Sequence, residues 1–109
     1  MSIIDNLETM RARGQDSALL RYSLGNEYLK QERMDAALDH LAEAVRMDPA
    51  YSAAWKLYGK TLAAAGRHEE AMKAFDHGIA TAESKGDVQA AKEMRVFRTR
   101  SQRALEAGS

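Results

Sequence analysis

KLYGKTLAAAG, residues 56–66, has the composition of a helix but carries Gly59 near its centre. A glycine inside a helix costs about 1 kcal/mol relative to alanine, so this one calls for a compensating gain. Sliding the sequence along itself by 34 positions supplies it. Gly25 falls on Gly59, Ala37 on Ala71, Leu41 on Phe75, Leu38 on Met72 and Val45 on Ile79. Leu24 and Tyr28 fall on Tyr58 and Leu62, a bulky pair in swapped order that keeps the volume of a shared pocket. Gly25 and Gly59 are expected on one helix of each copy, facing Ala37 and Ala71 on the next. Small residues facing small ones let two backbones approach closely, and the packing gained offsets the propensity lost. A tolerated stray glycine would not recur at the repeat offset.

Written out, residues 21–49 read Arg21-x-x-Leu24-Gly25-x-x-Tyr28, then Ala37-x-x-x-Leu41-x-x-Ala44, then Pro49. Residues 55–83 read Trp55-x-x-Tyr58-Gly59-x-x-Leu62, then Ala71-x-x-x-Phe75-x-x-Gly78. This pattern resembles the tetratricopeptide repeat, two antiparallel helices A and B in every 34 residues. The first copy lacks the family's tryptophan, and the second has Glu83 where the closing proline would stand. The resemblance implies an all-α fold, a right-handed superhelix of antiparallel helix pairs with about six helices. Repeat 1 spans residues 18–51 and repeat 2 spans 52–85, within a single domain of residues 1–109.

Both ends fit that plan. Subtracting 34 from Ala37, Leu41 and Ala44 lands on Ile3, Leu7 and Met10, an apolar stripe closed by Gly14 as a C-cap. Residues 2–12 are therefore expected to form a lone helix in the place of a preceding helix B, with Asp16 or Ser17 capping the next helix. Forward, the register breaks, because Gln89, Lys92, Glu93 and Val96 do not match the signature. ATAES extends the preceding helix to about Ser84, Gly86 stops it and Asp87 caps another. Residues 87–107 read as a capping helix with Ala90, Met94, Phe97, Ser101 and Leu105 inward.

Composition excludes several functions. Sixteen lysines and arginines balance sixteen aspartates and glutamates, so no global field draws the chain to nucleic acid or an anionic membrane. With no cysteine there is no disulfide frame, thiolate metal site or thiol nucleophile. MSIIDNLETMRARG lacks the unbroken apolar core of a signal peptide, and no stretch approaches the ~20 apolar residues of a membrane span. A cytoplasmic protein is expected.

No catalytic constellation emerges. HEEAM at residues 68–72 resembles half a metalloprotease motif, but Met72 stands where the second ligand histidine belongs. His68 instead occupies a slot where these repeats hold an aromatic between helices. No enzyme activity, metal, cofactor or small-molecule substrate is expected. The basic tail, Lys85, Lys92, Arg95, Arg98, Arg100 and Arg103, reads as the solvated face of the capping helix, since the aromatic interleaving of a nucleic-acid surface is missing.

The resemblance points to the groove lined by the A helices, where family members hold peptides or partner helices. The candidate binding residues are Leu19, Tyr22, Asn26 and Leu29 in the first repeat. Their counterparts one repeat on are Ala53, Lys56, Lys60 and Ala63, of which Lys56 and Lys60 favour an acidic ligand. The carboxylate-clamp pattern of some members maps to Tyr22, Asn26, Leu57, Asp87 and Ala91, and only Asn26 matches. The expected function is a non-catalytic adaptor or scaffold for a protein or peptide partner. The alternative is homo-oligomeric assembly through the solenoid ends or the capping helix.

Overall fold

In a computed structural model that describes residues 2–108, the chain forms six α-helices and, among the described residues, no strand. They are α1 (Ile3–Ala12), α2 (Ala18–Lys30), α3 (Met34–Met47), α4 (Ser52–Ala64), α5 (His68–Ser84) and α6 (Val88–Ala107). Their contacts divide the chain into two compact units, one up to Pro49 and one from Ala50 onward.

Helix ends follow directly from local chemistry. Ser2, Ser17 and Asp87 cap α1, α2 and α6, each side chain accepting the N–H three residues on, at 3.1, 3.0 and 3.1 Å. Asp16 does not cap; it holds Arg21 through two oxygens at 2.9 Å. Helices α1, α2, α4 and α5 end in the same Schellman turn, in which Gln15, Arg33, Arg67 and Asp87 donate back to the carbonyls of Met10, Tyr28, Leu62 and Ala82. The left-handed residue of each turn is Gly14, Glu32, Gly66 and Gly86. Glu32, at φ 59°, is the only non-glycine residue with positive φ among the described residues.

Unit 1 packs α1 and α3 on α2. Leu24, Ala37, Leu41 and Ala44 are fully buried. Gly25 is buried as expected, but not against a small neighbour alone: a Cβ there would lie 2.6 Å from Leu41 Cγ. The space vacated by the glycine is filled by the leucine one turn past Ala37. The stripe on α1 is also shifted by one residue. Ile4 is buried and Leu7 packs on the same core, whereas Ile3 and Met10 are 60% and 42% exposed. The shift is fixed by Tyr28, whose hydroxyl donates to Glu8 Oε2 at 2.9 Å and so aims the Ile4–Leu7–Glu8 side of α1 at α2.

Unit 2 packs α5 between α4 and α6. Phe75, Ala54, Ala82 and Met94 are fully buried. The Phe75 ring fills the room left by Gly59, reaching within 2.5 Å of where its Cβ would be, and Gly78 makes the same allowance for Met94 and Trp55. Helix α5 has 17 residues against 14 in α3. Consequently α4 begins 34 residues after α2 (Ala18 to Ser52), but α6 begins 36 after α4 (Ser52 to Val88). That extension explains the broken register. The inward face of α6 is Ala91, Met94 and Ser101, with Ala90 and Phe97 half-buried and Leu105 40% exposed. Ser101 Oγ lies 3.2 Å from His68 Nδ1, so the histidine joins α5 to α6.

Candidate interaction surfaces

On α2, Leu19, Tyr22, Asn26 and Leu29 recur at steps of three and four and so share one side of the helix. Leu19 is 64% exposed. Tyr22 and Asn26 are half-buried. Leu29 departs from the expected wet position: it packs partly against the cluster of Leu20, Leu24 and Tyr28.

A polar network stands behind this helix. Tyr28 stacks on His40 at 5.4 Å with ring planes 2° apart, and the Arg33 guanidinium lies 4.7 Å from the Tyr28 centroid. Arg21 Nη1 is 3.3 Å from His40 Nδ1, a contact that a neutral ring accepts and a charged ring opposes. Burial, the largest influence, holds His40 below the ordinary histidine value. Burial also pushes the Tyr28 hydroxyl up, and its bond to Glu8 adds to that. At Glu8 itself, burial works upward, but hydrogen bonds from Arg11 and Tyr28 outweigh it and leave the carboxyl lowered.

On α4, the two lysines expected to favour an acidic ligand already have partners from α6. Lys56 Nζ donates to Glu93 Oε2 at 2.8 Å, and Gln89 donates to the other oxygen at 3.3 Å. The bond from Lys56 holds the Glu93 carboxyl below its usual value, with Gln89 adding to it. Lys60 Nζ sits 5.1 Å from the centroid of Phe97, a ring that also stacks on Phe75 at 5.9 Å. The sequence places Phe97 on the inward stripe of the capping helix but gives neither it nor Glu93 a lysine partner, because a helix outside the repeat register has no assigned partner positions.

A second surface of unit 2 lies between α4 and α5, where Trp55, Tyr58, Leu62, Glu70, Lys73, Ala74 and His77 line a cleft of about 220 Å³. Trp55 stacks on His77 at 4.7 Å. Glu70, on the cleft wall, is held by Arg67 through two bonds of 2.8 and 2.6 Å. The basic tail is likewise largely engaged: Arg95 pairs with Glu83, Arg98 with Asp76, and Lys85 donates to the Ala50 carbonyl.

No group of three metal-binding side chains exists among the described residues, and no helix is long and apolar enough to cross a membrane.

Comparison with known proteins fits this architecture. The tetratricopeptide-repeat family profile matches residues 22–87. A TPR repeat-containing protein of Pseudomonas aeruginosa is 48% identical over 102 residues, covering 94% of this chain and 97% of its own. The solution structure of a Bordetella parapertussis protein superposes with a TM-score of 0.80 at 46% identity, over 99% of this chain and 96% of the other. YrrB, described as a TPR protein with an unusual peptide-binding site, is 25% identical with a TM-score of 0.65, over 96% of this chain and 63% of that one. The chain belongs to the tetratricopeptide-repeat family. Its fold is that of a protein–protein interaction scaffold, in a family whose members are generally non-catalytic.

Proposed function

We propose that this protein is a cytoplasmic adaptor that captures a peptide or protein segment, each unit offering its own A-helix surface: Leu19, Tyr22 and Asn26, with the partly packed Leu29 at their edge, on α2 of one unit, and Lys56 and Lys60 on α4 of the other. The observation that carries this reading is Leu19, left 64% exposed beside the half-buried Tyr22 and Asn26. An apolar side chain held open next to an aromatic and an amide offers contact area and a hydrogen-bonding group together. The peptide-binding site named for YrrB is in keeping with it.

On α4 the ligand's acidic group would compete with Glu93 for Lys56. That competition makes the site selective: a single weak carboxylate gains little, and a partner with several acids displaces Glu93. An immobilised library of short acidic and neutral peptides tests this. Wild type is expected to retain an acidic, apolar-containing subset. Tyr22→Ala and Lys56→Glu are each expected to lose about tenfold or more in affinity, a change of ~1.4 kcal/mol, with unchanged circular dichroism. Glu93→Gln, which frees Lys56, is expected to bind the same acidic peptides more tightly. Equal retention by wild type, Tyr22→Ala and Lys56→Glu would remove the reading.

A further inference from the structure

Charge is sorted along the chain. Residues 1–49 hold six lysines and arginines against nine aspartates and glutamates, and residues 50–109 hold ten against seven. A formally neutral protein is therefore −3 in one unit and +3 in the other.

In unit 2 the surplus gathers on the outer side of α6. Val88, Lys92, Val96, Thr99 and Arg103 follow one another at helical spacing, with Arg95 and Arg100 on the shoulders. All are exposed, Val88 at 63% and Val96 at 49%. Arg95 is tied to Glu83 and Arg100 lies over Phe97, whereas Lys92 and Arg103 have no ion pair among the described residues. Helices α2 and α4 are each followed by a helix that packs on them. The outer side of α6 carries two exposed valines and two unpaired cations.

In unit 1 the surplus anions gather at the start of α3. Glu32, Asp35 and Asp39 are exposed, have no ion pair among the described residues, and line one shallow hollow with Met34 and Ala36. Arg33 lies in the same hollow but is directed over the Tyr28 ring.

We infer that the outer side of α6 docks on the Glu32–Asp35–Asp39 face of a second copy of the chain. The two faces are opposite in sign, each belongs to the unit with the matching surplus, and Val88 and Val96 supply the apolar contact that exposed charge pairs lack. The contact joins two different surfaces, so each copy retains one free face of each kind. Assembly is then head to tail, an open series unless the rotation closes a ring.

Sedimentation velocity over a range of protein concentrations tests the inference. At about 50 mM salt wild type is expected to grow in size with concentration, and at about 500 mM salt, where exposed charges are screened, to revert to monomer. The double variant Lys92→Glu/Arg103→Glu and the double variant Asp35→Lys/Asp39→Lys are each expected to lose association about tenfold or more. Mixed in equal amounts they are expected to recover it, because each now complements the other. A wild-type monomer at every concentration in low salt overturns the inference, as does undiminished association of the α6 variant. So does a monomer that binds poly-glutamate through α6, which assigns the face to an acidic partner protein instead. Tyr22→Ala, which alters no charge and lies on neither face, leaves this readout unchanged, so its failure is separate from failure of peptide capture.

Discussion

Two single residues show how closely backbone and packing are tied here. Glu32 sits in the left-handed position that Gly14, Gly66 and Gly86 occupy in the equivalent turns. A side chain in that conformation costs ~1–2 kcal/mol that glycine does not incur. Nothing lies within 4 Å of a Cβ at those three glycines, so the effect belongs to the backbone alone. Urea unfolding is expected to show Glu32→Gly more stable than wild type by about 1 kcal/mol and Gly66→Ala less stable by a similar amount. Gly59→Ala is expected to cost about 1–3 kcal/mol in the same measurement, despite alanine's better helix propensity, because the Phe75 ring occupies the place of the new methyl. The matched glycines were legible as buried from the 34-residue offset. What fills the space beside them was not. Whether Ala37 or Leu41 lies opposite Gly25 depends on where along its length one helix crosses the other, which periodicity leaves open by a full turn.

At the scale of elements, the four helices of the two repeats and both flanking helices were legible because caps, stops and apolar spacing all agree. The errors fall on α1 and α6, which stand outside the repeat register. The offset put Ile3 and Met10 inside, but Tyr28 and Glu8 rotate α1 so that Ile4 is buried instead. The same network makes unit 1 sensitive to acid. Burial, with Arg21 beside it, keeps the His40 pKa below the ordinary value of 6.5. The unfolded chain therefore binds the proton more readily, and stability rises with pH over this range. The contribution is intact above about pH 6.5 and is lost as pH falls through the lowered native value. Hydrogen exchange is expected to show α1–α3 losing protection from pH 7.5 to 5.5, and His40→Gln is expected to remove most of that pH dependence. Protection that is flat in wild type would contradict this account.

At the scale of the whole molecule, the sequence disclosed the family and the general task more readily than the site. Repeat spacing is a property of many residues at once and survives local exceptions such as Arg21 in the tryptophan slot. A binding surface depends on a few side chains and on what their neighbours do with them. Lys56 and Lys60 read as open cations, yet Glu93 and Phe97 engage both from a helix whose register the repeat does not predict. The separation of charge between residues 1–49 and 50–109 has a practical consequence as well. With equal totals of each sign and a pI near 6.8, the protein should by its average pass through ion-exchange columns near neutrality. A resin, however, meets one surface at a time. In dilute buffer at pH 7 the protein is expected to be retained by both anion and cation exchangers, eluting from each with modest salt. Chromatography on the two resins would therefore detect the polarity of the chain before any partner is known.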